Sequence, residues 1–277
     1  MYSKATVEIE SRVHLLSTLA EAAELEHDLM CMYLYSVFSL KTSTGEGLTS
    51  EEMEAVTCWR KTILDVCFEE MTHLALVANL TTAVGGGAHF FHPDFPVRPG
   101  YFPSDFVLEL APFNQETLQH FIFLERPEDE PVEDAEEFTP ENEYTRGSPH
   151  DRLMAHGGDY STVGQIYEAI ERAVVSLSST LGEKSLFCGP ATLQISPEDV
   201  QIKGLQVVNN KASALEVLRL VVEQGEGART TKGSHFEKFN RIAEEYDRLL
   251  RKDPTFVPGR PAARNPVMRK PAIGEFG

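Results

Sequence analysis

The stretch VCFEEMTHLALVANL, residues 66–80, decides how the rest of the chain is read. It sets Glu70 and His73 three residues apart in an otherwise apolar run. On a helix that spacing puts a carboxylate and an imidazole on one face, one turn apart. The stripe they share reads Val56, Trp59, Ile63, Val66, Cys67, Glu70, His73, Leu74 and Val77. Glu69 falls about 100° away and is assigned to solvent. An unpaired charge inside such a stripe is very costly, so a metal ion or an internal ion pair must neutralise it. The motif alone leaves both open, and the rest of the chain has to decide.

Upstream, a helix over about Val7–Leu40 repeats the pattern. Around Glu26 its face carries Leu15, Leu19, Ala22, Leu29, Met30, Tyr33, Val37 and Leu40, which makes Glu26 the one charge in an apolar stripe. Glu24 and His27 have Glu-x-x-His spacing too, but they point well away, and surface pairing or hydrogen bonding suits them better. Thr49 and Glu52 have capping-box spacing and start the second helix near Ser50. It ends at Gly85-Gly86-Gly87.

Downstream, the segment to about Tyr160 is rich in Pro, Gly and aromatics and holds one short amphipathic helix, FNQETLQHFIFLE, capped by Asn114. Its histidines, His89, His92 and His120, read as structural, and its length suits a crossover connection covering a site. Thr162 and Gln165 open a third helix, on which Glu171 is read as the inward carboxylate and Glu168 as the outward one. An irregular stretch, 182–210, leads to a fourth helix, ASALEVLRLVVEQGEG, broken by glycines and restarting at Ser234 in SHFEKFNRIAEEYDRLL. Glu226 and His235 are read as an interrupted Glu-x-x-His pair, with Glu223 as the substitute for Glu226. Residues 1–252 form the domain, and the Pro/Gly-rich residues 253–277 a surface tail.

Composition narrows the function. The chain has 277 residues, 42% of them hydrophobic, and a formal net charge of −18. With a pI near 4.9, nucleic-acid binding and docking on an anionic membrane are disfavoured. The acidic run from Glu128 to Glu143 reads as a solvated loop. No apolar run reaches the roughly 18 residues of a membrane span, and MYSKATVEIESRVH does not resemble a signal peptide. Cys31, Cys58, Cys67 and Cys188 show no CxxC pairing and read as buried free thiols rather than disulfides or zinc ligands. A cytoplasmic, soluble protein is expected.

Together, Glu26, Glu70, Glu171 and Glu226 with His73 and His235 offer four carboxylates and two imidazoles, a donor set suited to two redox-active divalent ions, Fe or Mn. Structural zinc would use thiolates and fewer ligands. The motifs ELEHDLMCMYLYSVFSLK, EEMTHLALVANL, TVGQIYEAIE, and VVEQGEG followed by SHFEKF resemble the ferritin-like domain of the iminophenylpyruvate dimer synthase family, over about residues 12–245. The resemblance implies an all-α, ferritin-like four-helix bundle with long inserts between helices 2 and 3 and helices 3 and 4. It also implies a metal site at the six residues just named. The pigment-pathway synthases are much longer and add a haem-dependent coupling, so no haem is expected in this chain.

The leading expectation is a non-haem dimetal oxidase or oxygenase, with iron the expected metal and manganese the substitute, using O₂ on a small organic substrate such as an amino acid or natural-product precursor. Met30, Tyr33, Trp59 and Tyr167 are expected to line its pocket. Metal storage or peroxide scavenging without an organic substrate is the alternative, and a metal-free scaffold the third. A homodimer is a base-rate expectation.

Overall fold

Helix starts in this chain are set by side chains that take over an otherwise unpaired backbone amide. Ser11 accepts from the His14 amide and opens α1, Arg12–Ser39. Thr49 and Glu52 form the expected reciprocal box at the head of α2, Ser50–Ala83. Asn114 caps α3, Gln115–Leu124, and Thr162 caps α4, Val163–Leu181. After the single turn α5, Glu183–Leu186, Asn210 caps α6, Lys211–Gln224, and Ser234 caps α7, His235–Lys252. The first helix thus begins five residues later than its hydrophobic pattern suggests, because Ser11 fixes its start.

This computed structural model describes residues 7–97, 100–103, 106–139, 160–225 and 232–266. Among them the regular structure is helical, apart from one isolated antiparallel bridge between Leu40 and Gly259. The architecture is all-α. No described helix is long and apolar enough to cross a membrane.

The long pair α1 and α2 packs along its length, α4 lies against α1 and α6, and α7 lies against α2 and α3. Where α6 stops, the His235 amide donates to the Gly225 carbonyl, 3.0 Å, so the first residue of α7 is tied straight back to the end of α6. A single buried cluster runs through all of this, from Leu15 and Leu19 through Trp59 and Ile63 to Phe121, Ile170, Val217 and Phe239. At about 25 cal/mol per Å² of apolar surface removed from water, such side chains supply most of the favourable folding energy.

The irregular connection that leads into α6 and the segment after α7 are both held close to the helices. Asn79 on α2 donates to the Ile195 and Gln206 carbonyls and accepts from the Ile195 amide. Gly189 lies so close to the end of α2 that a β-carbon there would sit 1.7 Å from the Thr82 carbonyl oxygen. After α7, Arg260 reaches the Leu40 carbonyl and the Glu46 carboxylate, 2.6 and 2.5 Å, which draws residues 253–266 across the α1–α2 turn.

Candidate metal centre

Two groups of buried donors meet where α1, α2, α3 and α7 approach one another: Glu26, Glu70 and His73, and Glu70, Glu125 and His235. Within each group the nearest donor atoms all lie within 4.8 Å, and Glu70 belongs to both. Each of the five residues is at most 2% exposed.

The imidazoles are held alike. His73 Nδ1 points inward, 3.0 Å from Glu70 and 3.3 Å from Glu26, while its Nε2 meets the Gln224 side-chain oxygen at 3.0 Å. His235 Nδ1 lies 2.9 Å from Glu70 and 3.4 Å from Glu125, while its Nε2 meets Glu69 at 3.0 Å. In both, an outer acceptor takes the Nε2 proton and leaves Nδ1 facing the carboxylates, the arrangement by which outer partners fix a ligating imidazole. The rings stack with centroids 5.5 Å apart. Two phenols complete the cage: Tyr33 donates to Glu125 at 2.5 Å, and Tyr167 donates to Glu26.

Protonation follows from burial and charge. Burial, reinforced by the Glu70 charge, pushes Glu26 up to about 7. Burial acts most strongly to raise Glu70, but the His235 charge and the polar contacts from His235 and His73 together outweigh it and hold this carboxyl below the usual range. Burial would lower His73, yet hydrogen bonds to Glu26 and Glu70 push it up to about 10. Burial likewise opposes the charge on His235, and Glu70 and Glu125 prevail and raise it well above its ordinary value. Burial pushes Tyr33 and Tyr167 well up, so both phenols keep their protons as donors.

A network of ion pairs could by itself keep these groups near neutrality, so charge alone does not decide for a metal. One atom does favour it. His235 Nδ1 is buried and has no hydrogen-bond partner although a carboxylate oxygen is 2.9 Å away. A shared ligand would take up that nitrogen once its proton is displaced, and three carboxylates with two imidazoles form a donor set suited to Fe or Mn. The residues present fit a metal site, and Glu70 is common to both donor groups.

The sequence-named residues fare differently. Glu26, Glu70, His73 and His235 are brought together. Glu171 is exposed on α4 and takes no part. The buried stripe of that helix centres on Ile166, Ile170, Ala173 and Leu177, and Glu171 falls about 140° from Ile166, beyond its edge. Glu226 lies outside the described residues, and Glu223 is exposed. Glu69 is not simply solvated, because it accepts from His235 and pairs with Lys238. Tyr33 and Tyr167 hold ligand carboxylates. Trp59 does not line the site: its indole donates to Glu245 at 2.7 Å and its ring packs on Phe113, Tyr246 and Phe256. Met30 is half-buried on α1, and the cavity is lined instead by Leu29, Val163, Gly164, Tyr167, Val221 and Gly225 beside the carboxylates.

Glu125 was not anticipated. It sits just past α3 and is 2% exposed. A signal existed: it follows Phe121 and Ile122 by four and three residues, on the apolar face of FNQETLQHFIFLE.

With this geometry established, comparison with known proteins places the chain. A family profile described as ferritin-like matches residues 19–244. The chain belongs to the ferritin-like family. It is 28% identical, over 94% of its length, to 2-imino-3-(indol-3-yl)propanoate dimerase of Chromobacterium violaceum, of which it covers 26%. It is also 28% identical, over 96% of its length, to dichlorochromopyrrolate synthase of Lentzea aerocolonigenes, of which it covers 28%. The chain thus spans about a quarter of each of these relatives. The first relative's name, an imine dimerase, agrees with the resemblance read from the motifs. A crystal structure of a ferritin-like protein from Caulobacter vibrioides superposes with a TM-score of 0.52 at 17% identity, over 97% of this ferritin-like chain and 80% of the other. That likeness concerns the fold.

Proposed function

We propose that this ferritin-like chain is a non-haem dimetal oxidase or oxygenase acting on a small organic substrate, an amino acid or a natural-product precursor. Iron is the expected metal and manganese the substitute, since imidazole and carboxylate donors suit both. The observation that carries the reading is the pair of donor triads sharing Glu70, with both imidazole Nδ1 atoms turned inward. When bound, the metal pair supplies redox equivalents and a place for O₂ to bind.

The chain's own residues do the rest. Glu26, Glu70 and His73 would hold one ion, and Glu70, Glu125 and His235 the other. Gln224 and Glu69 keep the imidazoles oriented through Nε2. Tyr167 and Tyr33 fix the carboxylates by donation and stand as proton donors beside the centre. Leu29, Val163, Val221 and Val222 exclude water from it. The cavity beside these carboxylates is about 10 Å³, about one water, which suits a small reactant at the centre.

The names of the curated relatives support an organic substrate over metal storage. The test is O₂ uptake by iron-loaded protein with and without aromatic amino acids and their imines. Uptake that depends on the organic compound and yields an altered product supports the proposal. Uptake without any such compound, ending in a mineral core, favours the storage reading.

A further inference from the structure

A second donor cluster lies on the other side of α1. His27 and Cys31 are four residues apart on that helix, and so share a face. His92, from the segment that follows α2, closes on them, and ligand atoms of all three lie within 4.8 Å of one another. The imidazole rings meet edge to face with centroids 4.5 Å apart. Each ring has its Nδ1 against a backbone carbonyl, His27 on Phe90 at 3.1 Å and His92 on Pro93 at 2.8 Å. With the proton on Nδ1, each Nε2 keeps a free lone pair, as in metal-ligating histidines.

A separate observation points to a missing cation. Asp28, about 60° round α1 from Cys31, is fully buried, and neither carboxylate oxygen has a hydrogen-bond partner. Its nearest cation-capable neighbour is His92 Nδ1 at 3.4 Å. Burial, reinforced by the Glu24 charge, pushes this carboxyl up to about 9, so it keeps its proton unless a cation beside it stabilises the carboxylate. On binding, a divalent cation would displace the Cys31 and Asp28 protons, and the resulting thiolate and carboxylate would balance its charge.

We infer that His27, Cys31 and His92, with Asp28 as the charge-balancing neighbour, form a separate site for one borderline-soft divalent cation of the zinc class. Two imidazoles and a thiolate suit zinc in tetrahedral coordination, the fourth position remaining open. The ion ties the segment bearing His92 to α1, beside the bonds that His89 and Tyr101 already make to Glu24.

The test is titration of the metal-free full chain with Co²⁺, read by thiolate-to-cobalt charge-transfer absorption, which carboxylate and imidazole ligands do not give. The expected result is a band that saturates at about one Co²⁺ per chain, bleaches when Zn²⁺ is added, persists in Glu70→Ala and is abolished in Cys31→Ser. His92→Ala, outside the helices, keeps the test informative if Cys31→Ser fails to fold: it should weaken the band's apparent affinity at least about tenfold. Absence of the band, or a band that survives Cys31→Ser through exposed Cys58 or Cys188, would overturn the assignment.

Discussion

His235 Nδ1 and Glu70 Oε1 form a buried ion pair 2.9 Å long between α7 and α2. The His235 charge helps to hold the Glu70 carboxyl below its usual range. The same Glu70 reaches His73 with its other oxygen at 3.0 Å, so one side chain stands between both halves of the cluster.

The donor sets assign one carboxylate to α3 and none to α4. Glu125→Ala should therefore remove about half of the bound metal, whereas Glu171→Ala should leave metal content unchanged. Elemental analysis of both purified variants decides it. Retention in Glu125→Ala together with loss in Glu171→Ala would restore the carboxylate pattern expected from periodicity.

Glu69 acts through His235 and touches no reacting atom. Replacing it by alanine frees Nε2 of that ring, and metal affinity should fall about 10- to 100-fold without unfolding. Competition with a chelator of known affinity measures the drop. Glu69→Gln, which still accepts from Nε2, should recover most of it.

Protons compete with metal at this centre. His73 is pushed up to about 10, so below that pH the imidazole must lose a proton on binding. Apparent affinity should rise about tenfold per pH unit for each proton displaced, and level off above about 10. Metal-free protein should show the opposite trend. An imidazole raised from 6.5 to about 10 contributes stability that is complete below 6.5 and lost as pH rises through 10. Glu26, raised from 4.5 to about 7, loses its preferred proton over that lower window and acts in the same direction. The thermal midpoint of the metal-free form should fall between about pH 6 and pH 9, and that of the loaded form should change less. Calorimetry on both forms checks the two signs.

Trp59 belongs to the core around α7. Trp59→Phe removes the indole donor to Glu245 and should cost about 1 kcal/mol of stability, with metal content unchanged. Urea unfolding and elemental analysis on the same sample separate the two effects.

Much of this was legible because the decisive signals are local. Thr49 with Glu52, Asn114 and Ser234 are caps three residues ahead of the amides they bind, so helix starts could be read directly. Glu26, Glu70 and His73 stood out as charges in long apolar stripes. Glu171 misled because α4 buries a broad stripe, and a side chain at its edge looks inward by angle alone. Glu125 escaped because its significance is tertiary: α3 must pack on α7 before its last turn points at His235. Glu69 was misjudged for the same reason, its partners being 166 and 169 residues away.

The central claim is that one carboxylate serves two ions, and the most direct measurement is metal content per chain in the wild type and in Glu70→Ala. The account predicts about two Fe or Mn ions per wild-type chain and almost none in a folded variant. A folded Glu70→Ala that keeps its full metal complement, or a wild type that binds none after reconstitution, would contradict it.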